Sequence, residues 1–255
     1  MYLKSENSLI KSLKKLKKSF KIEGIKSEFE AEGSSNENII KLRSLTNLVG
    51  TQLHVKIGGV EAINDIYFCI ESSVDGVIAP MVETKFGLKK FIDSIKKLKL
   101  YKKPILTINI ESITGVKNID SILEIANKNI DNITIGRSDL AQSYFNDKIL
   151  QNSKIIEQQI FYISKKAKKY NINCTVGGGV DKETLILYKN NKNIKNIKKI
   201  ETRKVIFKKK YILNKANALN DALEFEKNYI LYKKEISDLK MRSEMSRLTN
   251  LEIRK

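Results

Sequence analysis

Glu111 and Asp139 each stand at the end of a β-branched run, Pro104–Ile110 and Asp131–Ile135, with serine or glycine close by. Two carboxylates at strand ends, with small neighbours that leave room for water, suit a hard divalent cation in an octahedral oxygen shell. Mg²⁺ or Mn²⁺ fits that donor set, whereas zinc would ask for imidazole or thiolate. Other charges occupy strand-like runs too. Glu28, Glu30 and Glu32 alternate along the end of the first run, His54 and Lys56 share a face of the second, and Glu201 and Arg203 share a face of the seventh. Ionised side chains are seldom buried unless paired, because an unpaired one costs several kcal/mol. These residues therefore converge on a solvated or metal-bound site, or else neutralise one another as internal ion pairs, Lys56 and Arg203 against Glu30 and Glu201. Gly177 and Gly178, with Gly179, let backbone N–H groups approach a substrate carboxylate or phosphate, which Arg203 would clamp; a tight turn would need the same glycines.

The elements that must carry these residues repeat one unit: a short β-branched run, a loop with glycine or an acid, then a lysine-rich amphipathic segment. Seven runs are legible: Gly24–Glu32, Gln52–Ile57, Val74–Val82, Pro104–Ile110, Asp131–Ile135, Asn171–Val176 and Lys199–Phe207. Helical stripes such as Leu88, Phe91, Ile92, Ile95 and Leu98 lie between them. Strands alternating with helices predict an α/β fold with a parallel sheet, and seven units point to a TIM-type (β/α)8 barrel. Closure needs an eighth strand, so either a weak one completes the ring or the barrel is incomplete. Residues 1–23 read as an amphipathic helix striped by Leu9, Leu13, Leu16 and Phe20, which either caps the barrel floor or lies on an anionic membrane surface. Residues 24–208 form the barrel. In 209–255, Ala218, Ala222, Phe225, Tyr229, Tyr232, Ile236 and Leu239 recur at heptad spacing, a long helix packed on its own barrel or on another subunit of a homo-oligomer.

The 255 residues suffice for one large core. A net charge of +19 invites a nucleic-acid partner, but only six of the 48 basic residues are arginine, and lysine is spread through every segment without interleaved aromatics. The expectation is no nucleic acid, and no membrane either, since no run of about 18 apolar residues exists. Cys69 and Cys174 lie far apart and outside any metal-spaced cluster, as in a reduced cytoplasmic protein.

Residues 108–120, INIESITGVKNID, and 133–143, ITIGRSDLAQS, resemble the strand motifs of the HpcH/HpaI aldolase and citrate lyase β-subunit family, as does VDGVIAPMVET at 74–84. The resemblance covers roughly residues 24–208. It implies a metal-dependent TIM barrel that makes or breaks carbon-carbon bonds through an enolate, with Glu111 and Asp139 as the metal ligands and a 2-oxo acid or acyl substrate completing the shell. Gly136 and Arg137, beside Asp139, then border the substrate. Two positions depart from the family. Glu30-Ala31-Glu32-Gly33 stands where an acidic-Gly-Glu-His signature is usual, so glycine replaces the histidine, and Lys56 replaces an enolate-clamping arginine without its planar fork. A base must then come from Glu30 or Glu32, or from His54, which otherwise is a packed barrel histidine. The expected function is a carbon-carbon lyase or aldolase using Mg²⁺ or Mn²⁺; the alternative is a catalytically degenerate barrel that binds a metal or anion or serves as a scaffold.

Overall fold

The computed structural model describes residues 3–191, 196–215 and 217–254. Eight strands close into one barrel in sequence order: β1 Gly24–Glu28, β2 Gln52–Lys56, β3 Gly76–Ala79, β4 Ile105–Ile110, β5 Asn132–Gly136, β6 Asn173–Gly177, β7 Ile197–Glu201 and β8 Val205–Lys208. Helices α1 Lys4–Phe20, α2 Asn36–Val49, α3 Ile63–Glu71, α4 Lys85–Lys97, α5 Ile113–Lys117, α6 Ile119–Ala126, α7 Arg137–Gln142, α8 Lys154–Lys169, α9 Lys182–Asn190, α10 Lys209–Asn214 and α11 Ala218–Ile253 surround it.

The expected α/β barrel is present, and its eighth strand lies inside the seventh predicted run. Residues 199–207 do not form one strand. The backbone turns at Thr202, whose hydroxyl accepts a hydrogen bond from Val205 N–H at 3.1 Å. The second half of the run then returns as β8, antiparallel to both β7 and β1, while β1 to β7 pair in parallel. A side-chain oxygen thus supplies the turn that glycine or proline usually signals. Arg203 leaves strand geometry and sits in the turn at the barrel mouth.

The hydrophobic core lies between sheet and helices. Side chains that point outward from the strands, such as Ile25, Leu53, Val55, Val77, Ile108, Ile133 and Val176, are buried against Ile39, Leu42, Ile66, Leu88, Phe91, Ile122 and Ile160 of the helical ring. The barrel interior is polar by contrast, with Lys26, His54, Thr107, Asn132, Thr134, Thr175 and Glu201 facing inward at alternate positions.

α1 neither caps the floor nor presents its stripe to a membrane. Leu9, Ile10, Leu13, Leu16 and Phe20 are buried, and α1 runs antiparallel beside α11, tied by Ser5 to Glu235 at one end and Lys15 to Asp221 at the other. The two helices together occupy the sector of the ring next to β1 and β8. No helix among the described residues is long and apolar enough to cross a membrane.

Candidate functional site

The C-terminal ends of the parallel strands surround a cavity of about 180 Å³ lined by Lys26, Lys56, Glu111, Asp139, Glu201 and Arg203, with Glu28, Asn109 and Gly177 to Gly179 completing the wall. The ends of β4 and β5 bring Glu111 and Asp139 to the same cavity because β5 pairs beside β4 in register, Ile110 opposite Ile135. Glu111 is nearly fully buried. One of its oxygens accepts the backbone N–H of Met81 at 3.0 Å and the other the amide of Asn109, also at 3.0 Å. Met81 has φ of 49°, a left-handed conformation costly for a side chain of this kind, and its N–H points at the carboxylate from that strained turn. Gly136 makes room for the acid: a Cβ there would lie 2.6 Å from Glu111 Oε2.

Burial raises the Glu111 pKa above the usual carboxylate range, with Asp139 adding to the rise against the opposing pull of Lys56, Met81 and Asn109. Asp139 sits in the first turn of α7, and its carboxylate accepts no hydrogen bond among the described residues. Asn109 Oδ1 is buried and has no hydrogen-bond partner among the described residues. Two carboxylates and a spare amide oxygen are hard donors, so the residues fit Mg²⁺ or Mn²⁺ held with water or substrate oxygens. No cluster of three or more His, Cys, Asp or Glu exists among the described residues, so a closed all-protein metal cage is not what these side chains build.

The cations of the mouth are engaged with protein carboxylates. Lys56 binds Glu28 Oε2 at 2.7 Å, its cross-strand neighbour in the β1–β2 register, and Arg203 binds the other oxygen at 3.1 Å. Burial opposes ionisation of Glu28, yet Lys56, Lys26 and Arg203 outweigh it and lower its pKa. Deeper in, Lys26 binds Glu201 at 2.6 Å; burial disfavours its charge, but Glu201 more than compensates and the pKa is raised. The expected ion-pair alternative is therefore realised in part, with Glu28 taking the place assigned to Glu30.

Other predicted residues lie elsewhere. β1 ends at Glu28, so the period of two stops there: Glu30 is exposed in the following turn over Gly58, outside the cavity. Glu32 turns to the outside of the barrel, where it pairs with the buried Lys204 beneath Tyr229 of α11. His54 is buried below the mouth; its Nε2 meets Gln52 Oε1 at 2.9 Å and its ring fills the space a Cβ on Gly76 would need. Burial, reinforced by Lys199, lowers its pKa to about 4, so it is a neutral packed histidine. Arg137 is 1% exposed and does not face the cavity. Its guanidinium holds the Gly177 and Gly178 carbonyls at 3.2 and 2.6 Å, with Asn152 and Thr184, and so clasps the glycine loop to α7. Gly178, with φ of +80°, packs on the Ser138 and Arg137 backbone, an approach only glycine allows. Glu28 and Glu201, which the sequence argument aimed at a common site, do line it, and Lys26 joins them although that argument did not name it; the period of two from Glu28 was the available signal.

Seven parallel strands and one antiparallel strand, closed around a polar mouth, define a barrel of the TIM type. The chain belongs to the HpcH/HpaI aldolase/citrate lyase family, whose model matches residues 46–174. Among solved structures, an HpcH/HpaI aldolase/citrate lyase family protein from Burkholderia cenocepacia J2315 superposes with a TM-score of 0.63 at 10% identity, over 93% of this chain and 90% of that one. An HpcH/HpaI aldolase from Desulfitobacterium hafniense DCB-2 gives 0.61 at 13%, over 78% and 82%. A variant of the citrate synthase SbnG gives 0.54 at 16%, over 71% and 76%. At such identities these likenesses speak for the fold. No curated protein matches the chain.

Proposed function

We propose that the mouth binds a divalent cation, Mg²⁺ or Mn²⁺, on Glu111 and Asp139 together with a small anionic acid of the 2-oxo acid class, and that binding rather than bond cleavage is what this barrel retains. The observation that carries the proposal is Glu28. It occupies both Lys56 and Arg203, while His54 lies in the layer below and Gly33 stands at the position where the family signature has a histidine. The groups best placed to stabilise an enolate or move a proton are thus committed to the protein itself. When bound, the cation would polarise the oxygens of the acid. Glu111 and Asp139 would hold it, and Lys56 and Arg203 would orient the acid's carboxylate.

The competing proposal is a metal-dependent carbon-carbon lyase or aldolase, which family membership and the raised pKa of Glu111 beside Lys56 support. Incubation with Mg²⁺ or Mn²⁺ and a panel of 2-oxo acids and aldehydes separates the two. Steady turnover abolished by Glu111→Gln establishes the lyase and overturns the binding proposal. For the binding step, Mg²⁺ or Mn²⁺ at one hundred times its Kd should raise the melting temperature by roughly 5–10 °C. Glu111→Gln and Asp139→Asn should erase that shift, and an equal shift in both variants excludes this pair as the site.

A further inference from the structure

The opposite end of the barrel carries a second, wider cavity of about 640 Å³. Three lysines reach it: Lys17 and Lys21 from the end of α1 and Lys208 from the end of β8. Two acids share its wall, yet neither answers these lysines. Glu23 is paired with Lys199 and Asp75 with Arg43, whereas Lys17, Lys21 and Lys208 have no acidic partner among the described residues. Gln52 also lines the cavity; its oxygen is spent on His54, and its amide N–H₂ has no partner among the described residues.

The C-terminus of α1 favours basic side chains in its last turn, which accounts for Lys17 and Lys21 without any ligand. It does not account for Lys208. That residue stands directly opposite Lys199 in the antiparallel β7–β8 pair, an arrangement of like charges that weakens a sheet. Lys209 follows at once, and its pKa is lowered by burial and by Lys198. Glu23 neutralises Lys199 but leaves Lys208 opposite it without an ion pair among the described residues.

The geometry points to an anion site at the barrel floor, formed by Lys17, Lys21, Lys208 and the Gln52 amide, that takes a multiply charged phosphate compound with a polar body. Three separated ammonium groups suit an anion carrying two or more charges on spread oxygens. No aromatic side chain lines the cavity to stack on a nucleobase, and its volume exceeds what a single phosphate group fills.

Tripolyphosphate, titrated calorimetrically without added metal, tests the site. The expected result is binding at one ion per chain, weakened at least tenfold in the triple variant Lys17→Gln, Lys21→Gln, Lys208→Gln. A control triple of exposed lysines elsewhere, Lys148→Gln, Lys154→Gln and Lys240→Gln, loses the same charge and should bind as the parent does. Should the floor triple fold poorly, the single exposed Lys208→Gln is expected to show a several-fold loss. Equal weakening in both triples, or several ions bound per chain, would show diffuse attraction to a lysine-rich surface and overturn the site. Loss of binding in Arg203→Ala would move the anion to the mouth and overturn it equally.

Discussion

Glu28 decides how the mouth can respond to an incoming acid, since a bound carboxylate must compete with it for Lys56 and Arg203. Removing that competitor should help the ligand. We expect Glu28→Gln to tighten oxalate binding, measured by calorimetry in saturating Mg²⁺, by about tenfold, equivalent to roughly 1.4 kcal/mol. Weaker binding would mean that Glu28 orients the cations rather than occupying them. His54 makes a different prediction. Its folded pKa, about 4, lies below the ordinary histidine value of 6.5, so between those limits the unfolded chain takes up a proton that the fold refuses. The stability gained from keeping the ring neutral is complete above pH 6.5 and is lost as the pH falls toward 4. Urea unfolding should show the parent losing about 3 kcal/mol more than His54→Gln across that interval; parallel losses would mean the ring is charged or solvated in the fold. The sequence announced Glu111 and Asp139 through type, strand position and small neighbours, and both line the mouth. It did not announce which of three alternating glutamates faces inward, because that depends on where β1 stops, and Phe29 begins the turn one residue after Glu28.

Elements were legible in proportion to their periodicity. Seven β-branched runs and the stripes of α1, α4 and α11 could be placed from spacing alone, and the acid-bearing ends of β4 and β5 followed. The β7–β8 hairpin could not, for its turn contains Thr202, Arg203 and Lys204 and no glycine, proline or asparagine. Its consequence reaches the outside of the barrel, where Lys204 is 2% exposed and pairs with Glu32 under the Tyr229 ring. Glu32 Oε1 has no further partner. Lys204→Met alone should therefore destabilise the protein by about 3–5 kcal/mol in urea titration, since it strands a buried carboxylate. Adding Glu32→Gln should recover most of that loss. Failure to recover would show that Lys204 acts through its stem packed on Tyr229 and not through charge.

At the scale of the whole molecule, α11 is about 54 Å long by its 36 residues, far more than one barrel needs. Its buried residues end at Tyr229, and Leu239, Met241, Met245, Leu248 and Leu251 beyond are exposed. Because β8 descends to the floor, α11 starts there and climbs past Glu226, beside Arg203, so the exposed half stands beyond the mouth. Removing residues 238–255 should leave the melting temperature within a few degrees of the parent. Sedimentation velocity reports the other outcome: a parent assembly that falls to monomer on truncation makes this half of α11 a subunit contact, and an unchanged mass assigns it no such role.

Ring closure joins Gly24 and Ile25 to Val205 and Ile206, and the outer sector joins Ser5 to Glu235. During synthesis, β1 emerges with an open edge and must wait until β2 to β7 have followed before its antiparallel partner β8 exists. Closure therefore cannot precede the appearance of β8, and α1 gains its helical partner only with α11. A nascent chain stalled before β8 would carry an unpaired β1 edge and an uncovered α1 stripe, the form in which this protein is most exposed to aggregation and to chaperones.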